Sequence, residues 1–246
     1  MKLVELLRKW PRAFDIARTA SRACGRRDSL YCCLRDLLPR LGLQWTFLQA
    51  GAHDGLRNDP FREFVVGSSG ATGVMVEPWP SYFKQLRKNY QAQAGRLHFL
   101  SCAITYPPTE VEFHSFTEEF VRANDLDPIV LSTAGMDRSH LHKQVKHDLL
   151  NSSAITTMRV PGLRVEDIMR LSGLDRIDAL FFDLEGQEPT VLQNMDFAVV
   201  RPRLVVYESK HLGSDADAVR QKLEGLGFTL IPCDVDIVAF REKDTW

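Results

Sequence analysis

The sequence predicts an α/β protein whose mostly parallel, doubly wound sheet ends in an antiparallel hairpin and is preceded by helices. Three observations carry this. From residue 45 onward, short apolar runs alternate with segments of helical period. Ile177-Asp178-Ala179-Leu180-Phe181-Phe182 is almost continuously apolar, as expected of a central parallel strand covered on both faces. The apolar runs at 228–231 and 235–240 are separated only by Pro232-Cys233-Asp234, which is too short for a parallel crossover.

Residues 1–43 read as helical. Leu3, Leu7, Trp10 and Phe14 recur at helix spacing, as do Leu30, Leu34, Leu37 and Leu41, and Pro11, Gly25 and Pro39 punctuate the stretch. This gives an N-terminal helical extension followed by one domain over 44–246. In that domain 45–50 is the first strand. A helix spans about 59–67, with Asn58 or Asp59 as its cap before Pro60. A second strand covers 73–77. A helix follows at 81–90, striped by Tyr82, Phe83, Leu86 and Tyr90, and 97–104 is a third strand. Residues 111–116 alternate like a further strand. From 117 to 153 the pattern loosens into a polar stretch with His140, His142 and His147, read as a substrate-facing insertion or lid. Regularity resumes with an extended 155–160, a helix at 165–171, a strand at 177–184, a helix at 189–195, a strand at 203–207 and a helix at 216–226.

Bulk composition excludes several classes. A 246-residue chain with 44% hydrophobic and 26% charged residues can bury a core unaided. A net charge of -1 gives no overall field for nucleic acid or anionic membrane. Residues 1–40 nevertheless hold ten Lys/Arg against four acids, a solvated helix surface or a patch for an anionic partner. The five cysteines are odd in number, include the adjacent pair Cys32-Cys33 and contain no C-x-x-C. They predict reduced thiols, a cytoplasmic location and neither a disulfide framework nor a zinc site. No apolar run reaches membrane-spanning length, and the first ten residues lack a signal peptide's apolar core.

Two stretches carry most of the functional information. Phe47-Leu48-Gln49-Ala50-Gly51-Ala52-His53-Asp54-Gly55 reads as a buried strand entering a glycine turn, and Val74-Met75-Val76-Glu77-Pro78 as the next strand ending in an acid. Strand, glycine turn, helix, strand and acid are the parts that hold an adenosine. The glycines let backbone approach the ligand, and the acid accepts from both ribose hydroxyls. His53 stands where a dinucleotide fingerprint has its middle glycine, so the turn suits a ligand without a pyrophosphate. The alternative is a tight strand–helix turn of any α/β protein. Trp79 either flanks an adenine or packs at a helix start. Cys102 and Ala103 end the third strand and either line an adenine slot or fill core. Asp183-Leu184-Glu185-Gly186-Gln187-Glu188 gathers three acids around one glycine at the central strand's end, for a cofactor ammonium, an acceptor's base, or in one case a helix cap. His211 follows the next strand at the same edge, within reach of Asp183 as a base if the two strands are neighbours. His140, His142 and His147 lack the flanking acid that a metal site needs, so no metal is expected.

Taken together, 47–55, Asn58-Asp59-Pro60, Val76-Glu77-Pro78, Asp183-Leu184-Glu185-Gly186 and 207–212 resemble the FkbM-type S-adenosylmethionine-dependent methyltransferases over about 45–240. The resemblance implies a Rossmann-like methyltransferase fold and O-methylation of a small, sugar-like or polyketide-type acceptor. It implies cofactor contacts at Gly51, Asp54, Glu77 and Asp183. Gln49, His53, Gly55, Pro78, Cys102 and Ala103 complete the expected cofactor set, and His211, Asp183 and Glu185 are the expected catalytic residues. The chain departs from the family at His53, where Asn is usual, and at Trp79, where a polar residue is usual. A nucleic-acid methyltransferase is the first rival, weakened because no Asn/Asp-Pro-Pro-aromatic block follows the central strand. A non-catalytic adenosyl-binding module and, more distantly, a nicotinamide dehydrogenase are the others.

Overall fold

The computed structural model describes residues 29–57, 59–142, 145, 154–242 and 246. The expected helices over 1–28, the cap at Asn58 and His147 lie outside these residues.

Helix α1 (Ser29–Leu37) and a 3-10 turn (Leu38–Leu41) open the described chain. Their leucine stripe faces inward as the spacing predicts: Leu30, Leu34, Leu37 and Leu41 are all buried. Strand β1 (Trp45–Ala50) leads to α2 (Arg62–Gly67), β2 (Ala71–Val76), α3 (Pro80–Asn89), β3 (Leu97–Leu100) and β4 (Ala103–Ile104). Strand β5 (Val111–Phe116) precedes the insertion, which contains α4 (Glu118–Ala123) and α5 (Arg138–His142). The chain continues through β6 (Ile155–Val160), β7 (Gly162–Leu163), α6 (Val165–Leu171), β8 (Ala179–Phe182), α7 (Glu188–Asn194) and α8 (Phe197–Val200). It ends with β9 (Leu204–Glu208), α9 (Ala216–Gly225), β10 (Thr229–Cys233) and β11 (Asp236–Phe240).

The main sheet has seven strands in the order β3-β2-β1-β8-β9-β11-β10. All neighbours are parallel except β11, which runs antiparallel to both β9 and β10. The expected closing hairpin is therefore present, with its second strand inserted between β9 and β10. Alternate side chains of each central strand supply two cores. Leu48, Val74, Leu180 and Val205 pack under α6, α7 and α9 on one face. Phe47, Met75, Phe181 and Val206 pack under α1, α2 and α3 on the other. The long-strand expectation at 97–104 is corrected: the chain breaks after Leu100, and Ala103–Ile104 pairs with Gly162–Leu163 instead of extending the sheet.

The described part of the insertion has more order than its polar sequence suggests. Thr117 caps α4, its hydroxyl accepting from Phe120 N at 3.2 Å. Phe116, Phe120, Val121, Leu141 and Ala154 form a small core of their own. Strand β5 pairs antiparallel with β6, so the segment between them is held at both ends. One further expectation is corrected. Cys32 is disulfide-bonded, while Cys33, Cys102 and Cys233 are free and buried. An odd cysteine count excludes a fully paired framework but leaves room for a single bridge.

Leu34 is fully buried between α1 and the sheet. Leu34→Ala should cost about 2–5 kcal/mol of stability. Chemical denaturation measures it, and a loss below about 1 kcal/mol would show that α1 does not cover this core.

Candidate active site

The carboxyl ends of β1, β2 and β8 open onto one cavity of about 570 Å³. Such an edge is where open parallel sheets take their ligands, because the strands diverge there and loops replace side-chain packing.

The β1 turn and the tip of β2 are tied together. Gly51 N and Ala52 N both donate to Val76 O at 3.1 Å, extending the β1–β2 ladder past the strands. Glu77, only 5% exposed, closes the arrangement. Its Oε2 accepts from His53 N and its Oε1 from Trp79 N, each at 2.8 Å. Burial pushes the Glu77 pKa up to about 7, against the pull of these donors. Each oxygen keeps acceptor capacity for a further donor. Gly51 (φ 77°) lies against the β8 end, where an added Cβ would stand 1.9 Å from Asp183 O. His53 sits in the left-handed region (φ 48°), and its ring centroid lies 3.7 Å from that of Tyr82. Burial lowers the His53 pKa, opposed by Asp54, so the ring is neutral at pH 7.

A second network braces the turn from behind. Asp59 Oδ1 accepts from Gln49 Nε2 at 3.1 Å and from Phe61 N at 3.0 Å, and Asp59 Oδ2 accepts from Tyr90 Oη at 3.0 Å. This holds the Gln49 amide with its Oε1 buried and unpaired. The helix expected from 59 starts instead at Arg62, because Asp59 through Phe61 form a turn around that carboxylate.

The opposite wall is acidic. Asp183, Leu184 and Glu185 follow β8 and line the cavity. Their loop is pinned by Glu188, fully buried, whose carboxylate accepts from Leu184 N at 2.6 Å and Gly186 N at 2.9 Å. The expected helix cap is not found among the three acids: Glu188 is the first residue of α7, and the cap position, Gln187, makes no side-chain capping bond. Glu185 takes a left-handed conformation (φ 49°). Strands β8 and β9 are neighbours, so His211 does reach this loop. Its Nε2 lies 3.3 Å from Glu208 Oε2 and 3.8 Å from Glu185 Oε2. Desolvation, then the charge of Glu208, raises Asp183 to about 6. Desolvation, then Asp183 and Glu208, raises Glu185 to about 8.

Of the residues expected from the sequence, Gln49, Gly51, His53, Glu77, Pro78, Cys102, Ala103, Asp183 and Glu185 line the cavity. Asp54, Gly55 and His211 stand outside its lining. Asp54 accepts at Oδ1 from Leu56 N and Arg57 N, both at 2.9 Å, so its carboxylate shapes the turn. The Cβ position of Gly55 is filled by Tyr90 and Leu86. Trp79 packs toward Phe113, with ring centroids 6.4 Å apart, and does not flank the cavity. Sequence reasoning missed Tyr82, Phe61 and the roof formed by Phe113, Ala134 and Met136. The amphipathic stripe containing Tyr82 signalled burial but not a ligand wall. The roof depends on pairing across forty residues, which leaves no local trace.

A mostly parallel sheet with an inserted antiparallel strand, and a cavity at its central carboxyl edge built on a glycine turn and an acid, is the arrangement of a Rossmann-like methyltransferase. The family model for the methyltransferase FkbM domain matches residues 49–230, and the chain belongs to that family. No curated protein sequence matches it. Among solved structures it is similar to a methyltransferase FkbM from Methylobacillus flagellatus KT (12% identity, TM-score 0.49), over 80% of this chain and 44% of that one. It is also similar to a precorrin-6y C5,15-methyltransferase from Geobacter metallireducens GS-15 (12% identity, TM-score 0.35), over 83% of this chain and 85% of that one. This chain therefore spans less than half the length of the first of these.

The Gly51 contact gives a test of the turn. Gly51→Ala must displace the Asp183 backbone and strain φ, costing at least about 1–3 kcal/mol. Gly67→Ala meets nothing within 4 Å and serves as the neutral control. Thermal unfolding that ranks the two variants equally would contradict this close packing of backbone on backbone.

Proposed function

We propose that the protein transfers a methyl group from S-adenosylmethionine to a hydroxyl of a small, sugar-like or polyketide-like molecule. The observation that carries this reading is the Glu77 carboxylate held 2.8 Å from the backbone of the glycine turn, both on the wall of one cavity. The residues fit an adenosyl ligand. Gly51 packs its backbone against Asp183 and lines the cavity without a side chain, Glu77 keeps lone pairs for two ribose hydroxyls, and the buried Gln49 Oε1 waits for a donor. Pro78, Cys102 and Ala103 offer the flat, small wall that an adenine needs. When bound, S-adenosylmethionine supplies a methyl group already activated on a sulfonium.

The protein's task is then mainly alignment, which is worth about 7–11 kcal/mol of barrier in favourable cases. Asp183, at the β8 end, faces that positive charge across the cavity. Asp183, Glu185 and His211 form the acceptor pole. A hydroxyl placed there gives its proton to this group, and a well-placed base adds roughly 10²–10⁴-fold in rate. The insertion over 117–153 supplies Asp127, Ala134 and Met136 to the wall and acts as the acceptor-facing roof. Nucleic acid does not fit this reading, because Asp59, Glu77, Asp127, Asp183 and Glu185 line the cavity against Arg57. None of the described helices is long and apolar enough to cross a membrane.

Calorimetry should show S-adenosylmethionine binding, and Glu77→Ala should weaken it about 10–100-fold, the worth of charge-assisted hydrogen bonds at 1.5–3 kcal/mol. No binding by the native protein would remove the proposal. The pH dependence has a definite sign. Glu77 is half-protonated at about pH 7 and the ribose hydroxyls need it ionised, so affinity should fall as pH drops from about 8 toward about 5.5 and level off above about 8. A dissociation constant constant over that range would show that Glu77 does not titrate on binding. Turnover of His211→Ala equal to that of the native enzyme would take His211 out of the chemistry.

A further inference from the structure

We infer that Glu185, Glu208 and His211 form a divalent-cation site at the acceptor end of the cavity. The inference rests on the methyltransferase reading for its role, though not for its existence. Each residue offers one ligand atom, and the three atoms lie within 4.8 Å of one another. His211 Nε2 is 3.3 Å from Glu208 Oε2 and 3.8 Å from Glu185 Oε2. Adjacent ligands about 2.1 Å from one cation stand roughly 3 Å apart, so a small contraction closes the set.

The donor set matters as much as the spacing. Two carboxylate oxygens and one imidazole nitrogen suit Mn²⁺ or Zn²⁺, and an imidazole is not what a merely solvated acidic surface contributes. The side chains are only 16–21% exposed, so the charges sit in a partly desolvated place where an added cation is held strongly. They also come from two separate chain segments. Glu185 follows β8, whereas Glu208 ends β9 and His211 lies three residues on, and the pairing of β8 with β9 brings them together. Asp183, two residues before Glu185, adds a third carboxylate to the same loop and lines the cavity beside it.

Three protein ligands leave coordination positions open, the pattern of a catalytic rather than a structural site. Glu185 lines the cavity, so an open position faces the acceptor. The cation would take the acceptor's hydroxyl oxygen as a ligand and fix its position beside Asp183; with a cation bound, Glu185 and His211 serve as ligands and Asp183 is the group left to take the proton. The competing arrangement is a protonated His211 paired to both glutamates with no metal.

The test uses the full chain, stripped with a chelator. Mn²⁺ and Zn²⁺ are each titrated alone, Mn²⁺ by loss of its free electron-paramagnetic signal and Zn²⁺ by calorimetry, and S-adenosylmethionine binding is measured separately. One equivalent of cation per chain is expected. Glu208→Gln and His211→Gln, checked for fold by circular dichroism, should weaken it by more than the roughly 10–100-fold of a lost outer contact. Neither cation binding while S-adenosylmethionine still binds would overturn the cation site and leave the methyltransferase reading intact. Equal cation binding by both variants would also overturn it. Cation binding without S-adenosylmethionine binding would uphold the site and sink the function it is meant to serve.

Discussion

The site depends on one buried carboxylate. Glu77 sits between the β1 turn and the start of α3 and accepts a backbone N–H from each at 2.8 Å. A carboxylate at 5% exposure is costly to ionise, and two such bonds offset part of that cost without saturating the oxygens. What remains is acceptor capacity fixed in direction before any ligand arrives. Preorganisation of that kind raises affinity by removing ordering costs rather than by adding contacts. It also explains the backbone around it. Gly51 must lie flat against Asp183, and His53 must turn left-handed, for an N–H to point at Glu77.

The second half of the site repeats the device. Glu188, fully buried, accepts from Leu184 N and Gly186 N and holds the acidic loop after β8 as Glu77 holds the glycine turn after β1. Two adjacent central strands thus each end in a loop fastened by a glutamate through backbone N–H groups. The difference lies in what the loops present. The β1 loop presents bare backbone and a neutral histidine, suited to an adenosyl group. The β8 loop presents Asp183 and Glu185, whose pKa values are raised first by burial and then by neighbouring acids, Glu208 for both and Asp183 for Glu185, suited to positive charge and to a proton in transit. On the function proposed above, binding and chemistry fall to different strand ends.

Much of this was legible in the chain. Strands β1, β5 and β6 and helix α6 fall on the residues that local pattern assigns, because each carries its own apolar periodicity. The antiparallel end of the sheet followed from a connection too short to cross over. What escaped has a common cause. The break after Leu100 arises because Ala103–Ile104 finds Gly162–Leu163, some sixty residues away. Helix α8 is four residues long and owes its start to the Asp196 carboxylate accepting from Ala198 N and Val199 N. The late start of α2 reflects Asp59 serving Gln49 and Tyr90 instead of capping a helix. In each case a long-range or very short-range hydrogen bond outweighs the periodic signal.

Asp59 shows why the site was harder to read than the fold. In the sequence it is a turn residue before a proline, with an obvious local duty. In the structure its carboxylate, pushed up by burial, collects three donors from β1, the α2 entry and Tyr90. Arg62 lies over the Tyr90 ring at 4.7 Å and donates to Gly55 O at 2.9 Å, and Asn89 Nδ2 donates to Asp54 O at 2.8 Å. The glycine turn is therefore gripped on both sides, by Glu77 at its ligand face and by α2 and α3 at its back. A turn so held cannot relax around a poorly fitting ligand, so on the proposed function the fold sets the shape of the adenosyl half. Among the described residues the proposed acceptor half has no equivalent brace, and its roof hangs on the β5–β6 ribbon and a small separate core. On the proposed function, variation in the acceptor can then accumulate in the roof without disturbing how the methyl donor is held.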